Sequence, residues 1–199
     1  ERKSPPDRRV VFSPSELLLV KKQFPNADFK VESSDIRVFT DAEYTEKGFE
    51  VSDNMDDCDV LLGVKEVPVE ALIPNKKYFF FSHTIKKQAY NRKLLQACID
   101  KNIELYDHET VVNEKNTRLI GFGRYAGIVG AYNGIRAFGL KFEIFSLPKA
   151  ETLANQDALI SQLKKPFLPP IKIVLTGKGK VAFGAKEMLD GMKIKEVSV

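Results

Sequence analysis

The stretch KKYFFFSHTIKKQAYNRKLLQACIDKNIELYD, residues 76–107, decides the fold. It opens on an apolar run that stops at Ser82. Its middle, TIKKQAYNRKLLQACIDKN (84–102), carries Ala89, Leu94, Leu95, Cys98 and Ile99 on one side at helical spacing, and IELYD closes it as a second short run. Strand, helix and strand joined this tightly read as a parallel βαβ unit. Just upstream, DVLLGV (59–64), bounded by acids and containing Gly63, reads as a further buried parallel strand.

Working toward the amino terminus, SPSELLLVKKQF (13–24) has Ser13 or Ser15 as N-cap, Pro14 in the first turn, and Leu17, Leu18, Val20 and Phe24 on one side of a helix. FKVESSD (29–35) alternates like a short strand. TDAEYTEKGF (40–49) predicts a helix with Thr40 as cap, an acidic first turn and Gly48 at its end. Toward the carboxyl terminus, RLIGFGRYAGIVGAYNGIRAFGL (118–140) predicts a long helix linking two domains, its glycines at 127, 130 and 134 forming a face for another backbone. A short helix in ETLANQDALISQL (151–163) and the proline-rich KKPFLPP (164–170) follow. The expected architecture is an α/β parallel-sheet substrate domain at 1–120, an interdomain helix at 121–140, and the beginning of a Rossmann-type dinucleotide-binding domain at 141–199.

Composition bounds the function. Apolar residues make up 43% of the 199, which suits a buried core, and the net charge of +4 is spread without a basic block, so nucleic acid is not suggested. No apolar run is long enough to cross a bilayer and no signal peptide is apparent, so the expectation is a cytoplasmic protein with no membrane partner. Cys58 and Cys98 lack the spacing of a disulfide scaffold or metal site, and His83 and His108 are too isolated for ligands, so no metal is expected. The start at ERKSPPDRRV, without methionine, and the stop inside KIKEVSV predict a fragment of a longer protein.

Residues 171–199 predict an apolar strand (IKIVL), a glycine turn, a helix and a second strand (KIKEVSV). The turn fits G-x-G-x-x-A: Gly177 for the tight bend, Gly179 for approach to a pyrophosphate, Ala182 for helix–strand packing, with Lys180 and Val181 opening the helix whose amides face the phosphates. A strand-to-helix turn with no ligand is the alternative. The acidic residue that would separate NAD from NADP falls about 20 residues beyond the first glycine, at or past Val199.

Parallel sheets bind ligands at the carboxyl ends of their strands, which singles out Lys65 and His83. The pair could exchange protons near neutrality; equally, Lys65 could be a solvated loop residue and His83 a hydrogen-bonded cap.

Six ordered segments add a resemblance: PPDRRVVFSP (5–14), VLLGVKEVP (60–68), FSHTIKKQ (81–88), LYDHETV (105–111), GFGRYAGIVG (121–130) and TGKGKVAFGA (176–185). Over nearly the whole chain the sequence resembles the lysine-forming saccharopine dehydrogenase and lysine 2-oxoglutarate reductase group of the alanine dehydrogenase and transhydrogenase superfamily. The resemblance implies Lys65 and His83 as acid and base, and Arg9, or adjacent Arg8, on a substrate carboxylate. It also implies Glu66 and Glu109 as residues tuning the pair, and NAD or NADP as cofactor. It implies amino-acid and 2-oxo-acid substrates, and allows a homo-oligomer. Alanine dehydrogenase is the second reading and a catalytically silent binding module the third. Arg124 receives no role beyond a hinge or salt bridge.

Overall fold

The structure, a computed structural model, describes residues 7–192, and the expected strand KIKEVSV lies outside them. The chain divides into two compact units, Glu1–Gly121 and Phe122–Val199.

The first unit begins with helix α1 (Pro14–Gln23), where Ser13 and Glu16 form a reciprocal capping box. Leu17 is buried, but Phe24 is 55% exposed and does not share the inner face expected of it, because it lies beyond the last helical turn. Strand β1 (Lys30–Glu32) follows, then helix α2 (Asp41–Thr45) with the Thr40–Glu43 capping box, then β2 (Glu50–Ser52). β1 and β2 pair in parallel as a two-stranded sheet, and Leu17, Tyr44 and Phe49 form the small core beneath them. The β2 strand, EVS, carries too short an apolar pattern to be predicted.

Buried Arg37 organises this region. Its guanidinium reaches the Phe39 carbonyl at 2.7 Å, the Glu32 carbonyl and the Asp41 carboxylate, and lies 4.7 Å over the Tyr44 ring. Asp41 also accepts from the Ser33 hydroxyl at 2.8 Å and the Ser34 amide at 3.1 Å. These bonds, Ser33's first, hold its carboxyl below its ordinary value of 3.8. A depressed carboxylate stabilises the fold above its unfolded pKa, and that contribution is lost as pH falls through the folded value. The urea midpoint of the first unit is therefore expected to fall below pH about 4, and Asp41→Asn to remove part of that dependence, as read by circular dichroism.

The larger sheet is β3 (Val60–Lys65), β4 (Lys77–Phe81) and β5 (Glu104–Asp107), parallel in that order. Helix α3 (Arg92–Asp100) covers the face made by Leu61, Tyr78, Phe80 and Leu105. Two expectations change here. β3 is an edge strand rather than a fully buried one, with Val60 and Leu62 about half exposed on the face that α3 does not cover. The helix expected from residue 84 starts at Arg92, since His83 (φ 57°) and Lys87 (φ 52°) adopt left-handed backbone and confine 84–91 to two 3-10 turns. Its inner face is accordingly Leu94, Ala97 and Cys98, while Ala89, Leu95 and Ile99 are exposed.

The second unit is built on α4 (Gly123–Lys141), α5 (Gln156–Leu163) and α6 (Lys180–Gly191) around Ile128, Tyr132, Ile135, Leu147, Leu159, Leu163 and Met188. α4 and α6 cross in near backbone contact. A Cβ built on Gly127 would lie 1.9 Å from the Val181 carbonyl oxygen, and one on Gly184 would lie 1.9 Å from that of Arg124. Of the predicted small-residue face, Gly127 carries this contact, whereas Gly130 and Gly134 look into open space. Among the described residues this unit contains no strand. Residues 171–175, expected as a buried strand, have no ladder partner there, and Val174 and Leu175 are exposed. A parallel strand holds its register only through neighbours, and the segment expected to supply one is 193–199.

Candidate active site

Each strand of the larger sheet delivers one polar side chain at its carboxyl end. β3 ends in Lys65; His83 lies two residues past β4; Glu109 follows β5 within the 3-10 turn His108–Thr110. The three are joined. Lys65 Nζ lies 3.1 Å from His83 Nε2, and His83 Nδ1 lies 2.7 Å from Glu109 Oε2.

Local backbone explains the convergence. Between Leu62 and Lys65, three steps along β3 match two along β4, a β-bulge that turns Lys65 off the strand's regular alternation. His108 Nε2 donates to the Gly63 carbonyl inside that bulge at 3.1 Å. His83 sits in the left-handed region, uncommon for a residue with a Cβ, and its carbonyl accepts from the Asn91 amide side chain at 3.2 Å. Its ring stacks near the buried Phe81 ring, 6.2 Å between centroids, and stays 24% exposed.

The hydrogen-bond chain restricts where protons sit. Glu109 Oε2 is an acceptor, so His83 Nδ1 carries the hydrogen facing it. Nε2 then faces Lys65 Nζ, and one hydrogen bond joins the two nitrogens. Lys86 Nζ, 3.2 Å from the same Nδ1, finds its acceptor instead in Glu109 Oε1 at 3.2 Å. Burial pushes the Glu109 carboxyl up, but hydrogen bonds and charge from His83 and Lys86 outweigh it and hold it below its ordinary 4.5. Arg118, 3.6 Å from Glu109 Oε1, adds a third cation.

The other predicted residues divide. Arg9 is held by Asp7, whose carboxyl is lowered first by the Arg9 hydrogen bond and, least, by the charge of Lys65. Arg8 is exposed, and its carbonyl accepts from Val38. Glu66 is half-buried directly after Lys65, its Oε2 withdrawn from solvent. Asp7, Lys86, His108 and Arg118 are additions that sequence reasoning missed; the first three lie inside DRR, HTIKK and DHE, whereas Arg118, in NTRL (116–119), carried no signal. Arg124 makes a salt bridge to Glu187 at 2.6 Å, in which Gln156 joins.

In the second unit Gly177 has φ 93°, as a tight turn requires, and Gly179 has nothing within 4 Å of where a Cβ would stand. No side chain caps the start of α6, and a helix N-terminus favours an anion. This turn fits a dinucleotide pyrophosphate. Among the described residues no cluster could hold a metal ion, and no helix is long and apolar enough to cross a membrane.

The chain is similar to several known proteins. An alpha-aminoadipic semialdehyde synthase from Arabidopsis thaliana is 32% identical over 79% of this chain and 16% of its own length. The mitochondrial alpha-aminoadipic semialdehyde synthase of Bos taurus is 29% identical over 96% of the chain and 23% of its length. A saccharopine dehydrogenase [NAD(+), L-lysine-forming] from Candida glabrata is 27% identical over 70% and 41%. The solved structure of an L-alanine dehydrogenase superposes with TM-score 0.63 at 18% identity, over 96% of this chain and 50% of its own, a likeness of fold. The chain thus spans half or less of each of these relatives. Residues 1–129 match the family described as alanine dehydrogenase/PNT, N-terminal domain, and the chain belongs to that family.

Proposed function

We propose that this chain carries the proton-transfer site of a nicotinamide-dependent amino-acid oxidoreductase of the saccharopine dehydrogenase type, interconverting lysine plus 2-oxoglutarate with saccharopine. The observation that carries the reading is the chain Lys65–His83–Glu109 at the carboxyl ends of three parallel strands, with Lys86 and Arg118 also on Glu109. A rim of guanidinium and ammonium groups suits a substrate with several carboxylates better than alanine, which has one. Relatives named for saccharopine and aminoadipic semialdehyde chemistry support the same class.

In the condensing direction the lysine side-chain amine adds to the keto carbon. The C–N bond forms, the carbonyl π pair moves to oxygen, and a proton passes from nitrogen through the pair to that oxygen, giving a hydroxyl. A second proton then reaches that oxygen, the C–O bond breaks, and water leaves an imine. This sequence needs one base and one acid within hydrogen-bond reach of each other, which Lys65 and His83, 3.1 Å apart, supply. Glu109 orients the imidazole through Nδ1 and balances the positive charge the pair holds. A bound NAD or NADP would be cradled by Gly177, Gly179, Lys180, Val181 and Ala182, and supplies the hydride chemistry.

With the full-length protein, absorbance of the reduced nicotinamide is expected to fall on addition of lysine and 2-oxoglutarate and to hold with pyruvate and ammonia. A fall with pyruvate and ammonia alone would assign an alanine dehydrogenase. No change with either pair would sink the dehydrogenase reading in favour of a silent binding module.

A further inference from the structure

Asp107 is buried at 6% exposure, and both of its carboxylate oxygens are engaged. Oδ2 accepts the Ser82 hydroxyl at 2.5 Å, and Oδ1 accepts the Glu109 backbone amide at 2.8 Å. Ser82, 1% exposed, immediately precedes His83; its Oγ also accepts the Thr84 amide at 3.1 Å and lies 2.8 Å from the Thr84 hydroxyl. One carboxylate therefore grips the turn that carries His83 and the turn that carries Glu109. Phe80 and Asp107 are the last residues paired between β4 and β5, so the ladder itself stops before either site residue.

We propose that Asp107 is a positioning residue: by bridging the turns after β4 and β5 it sets the separation between His83 Nδ1 and Glu109 Oε2. The proposal rests on reading Lys65, His83 and Glu109 as the proton-transfer site. Two physical arguments support it. Hydrogen bonds to an ionised carboxylate are short and about twice as strong as neutral ones, and a buried carboxylate is retained only where such bonds satisfy it. A left-handed, non-glycine residue such as His83 persists only when its surroundings over-determine it, and the Ser82 anchor is one residue away.

The test reads Glu109 itself, by carbon NMR titration of its side-chain carboxyl in the 199-residue chain, beside steady-state kinetics of the full-length protein. The groups facing that carboxyl are His83 and Lys86 from the turn after β4, and Arg118. Asp107→Ala frees both turns, so the bonds that hold Glu109 low lengthen and its titration moves up toward the ordinary glutamate range. Turnover falls about tenfold or more while KM changes less than threefold. Asp107→Asn keeps both arms, its Oδ1 accepting from the Glu109 amide and its Nδ2–H donating to Ser82 Oγ, so it stays within threefold of wild type in both kinetic constants and keeps the low titration. Should Asp107→Ala fail to fold, Ser82→Ala cuts only the β4 arm and moves the Glu109 titration the same way. A Glu109 titration unchanged in Ser82→Ala, or in folded Asp107→Ala, overturns the proposal. An upward titration in a protein inactive with both substrate pairs keeps the bridge and removes the reaction assigned to it.

Discussion

Gly184→Ala is expected to destabilise the second unit by about 3 kcal/mol or more, lowering its Tm by on the order of 12–24 °C. In a helix interior the change ordinarily helps, by up to about 1 kcal/mol, because alanine loses less backbone freedom on folding. Here the new methyl would stand 1.9 Å from the Arg124 carbonyl oxygen and 2.8 Å from its carbonyl carbon, and both belong to backbone that no rotamer can move aside. α4 and α6 must separate, which uncovers Ile128, Tyr132 and Met188. Gly130→Ala is the control: with nothing within 4 Å it keeps only the helix benefit and should raise stability slightly. Thermal unfolding of both variants decides the matter, and a Gly184→Ala protein as stable as wild type would mean that the helices do not cross at these glycines.

The second large effect falls on chemistry. Lys65→Met and His83→Gln are each expected to lower turnover at least about tenfold, ~1.4 kcal/mol of barrier, with the fold retained. Methionine keeps much of the lysine stem while removing the nitrogen 3.1 Å from His83 Nε2; glutamine keeps hydrogen bonding but cannot carry the proton. Because one hydrogen bond joins the two residues, their losses are expected to overlap. The double variant should fall by clearly less than the product of the single effects. Unchanged rates in both single variants would remove the pair from the mechanism, and strictly multiplicative losses would separate them into independent roles.

Sequence reading reached the frame of this site for a definite reason. Apolar runs ending in VKE and FSH mark strand termini, and a parallel sheet collects its strand termini on one edge, which singled out Lys65 and His83 but left a solvated lysine and a capping histidine open; their pairing came from the family resemblance. What brings them within 3.1 Å was not legible, because the bulge at Gly63–Val64 depends on pairing with β4 and leaves no local mark. Asp7, Lys86 and Arg118 were hidden in the same way, since each acquires meaning through a partner elsewhere in the chain. The two-stranded pairing of β1 with β2 escaped notice because three residues of EVS carry almost no periodicity. The helix after His83 was overcalled since its apolar spacing continues through two left-handed residues that composition does not mark.

Those left-handed residues also separate two demands normally met by one side chain. At φ 57° the peptide unit of residue 83 is best suited to glycine or asparagine, and an imidazole there costs roughly 1 kcal/mol of backbone strain. Fold and chemistry thus specify different amino acids at a single codon. A sequence optimised only for thermal robustness would drift away from histidine at this point, and under the proton-transfer role proposed for His83 the protein would lose turnover as it became sturdier.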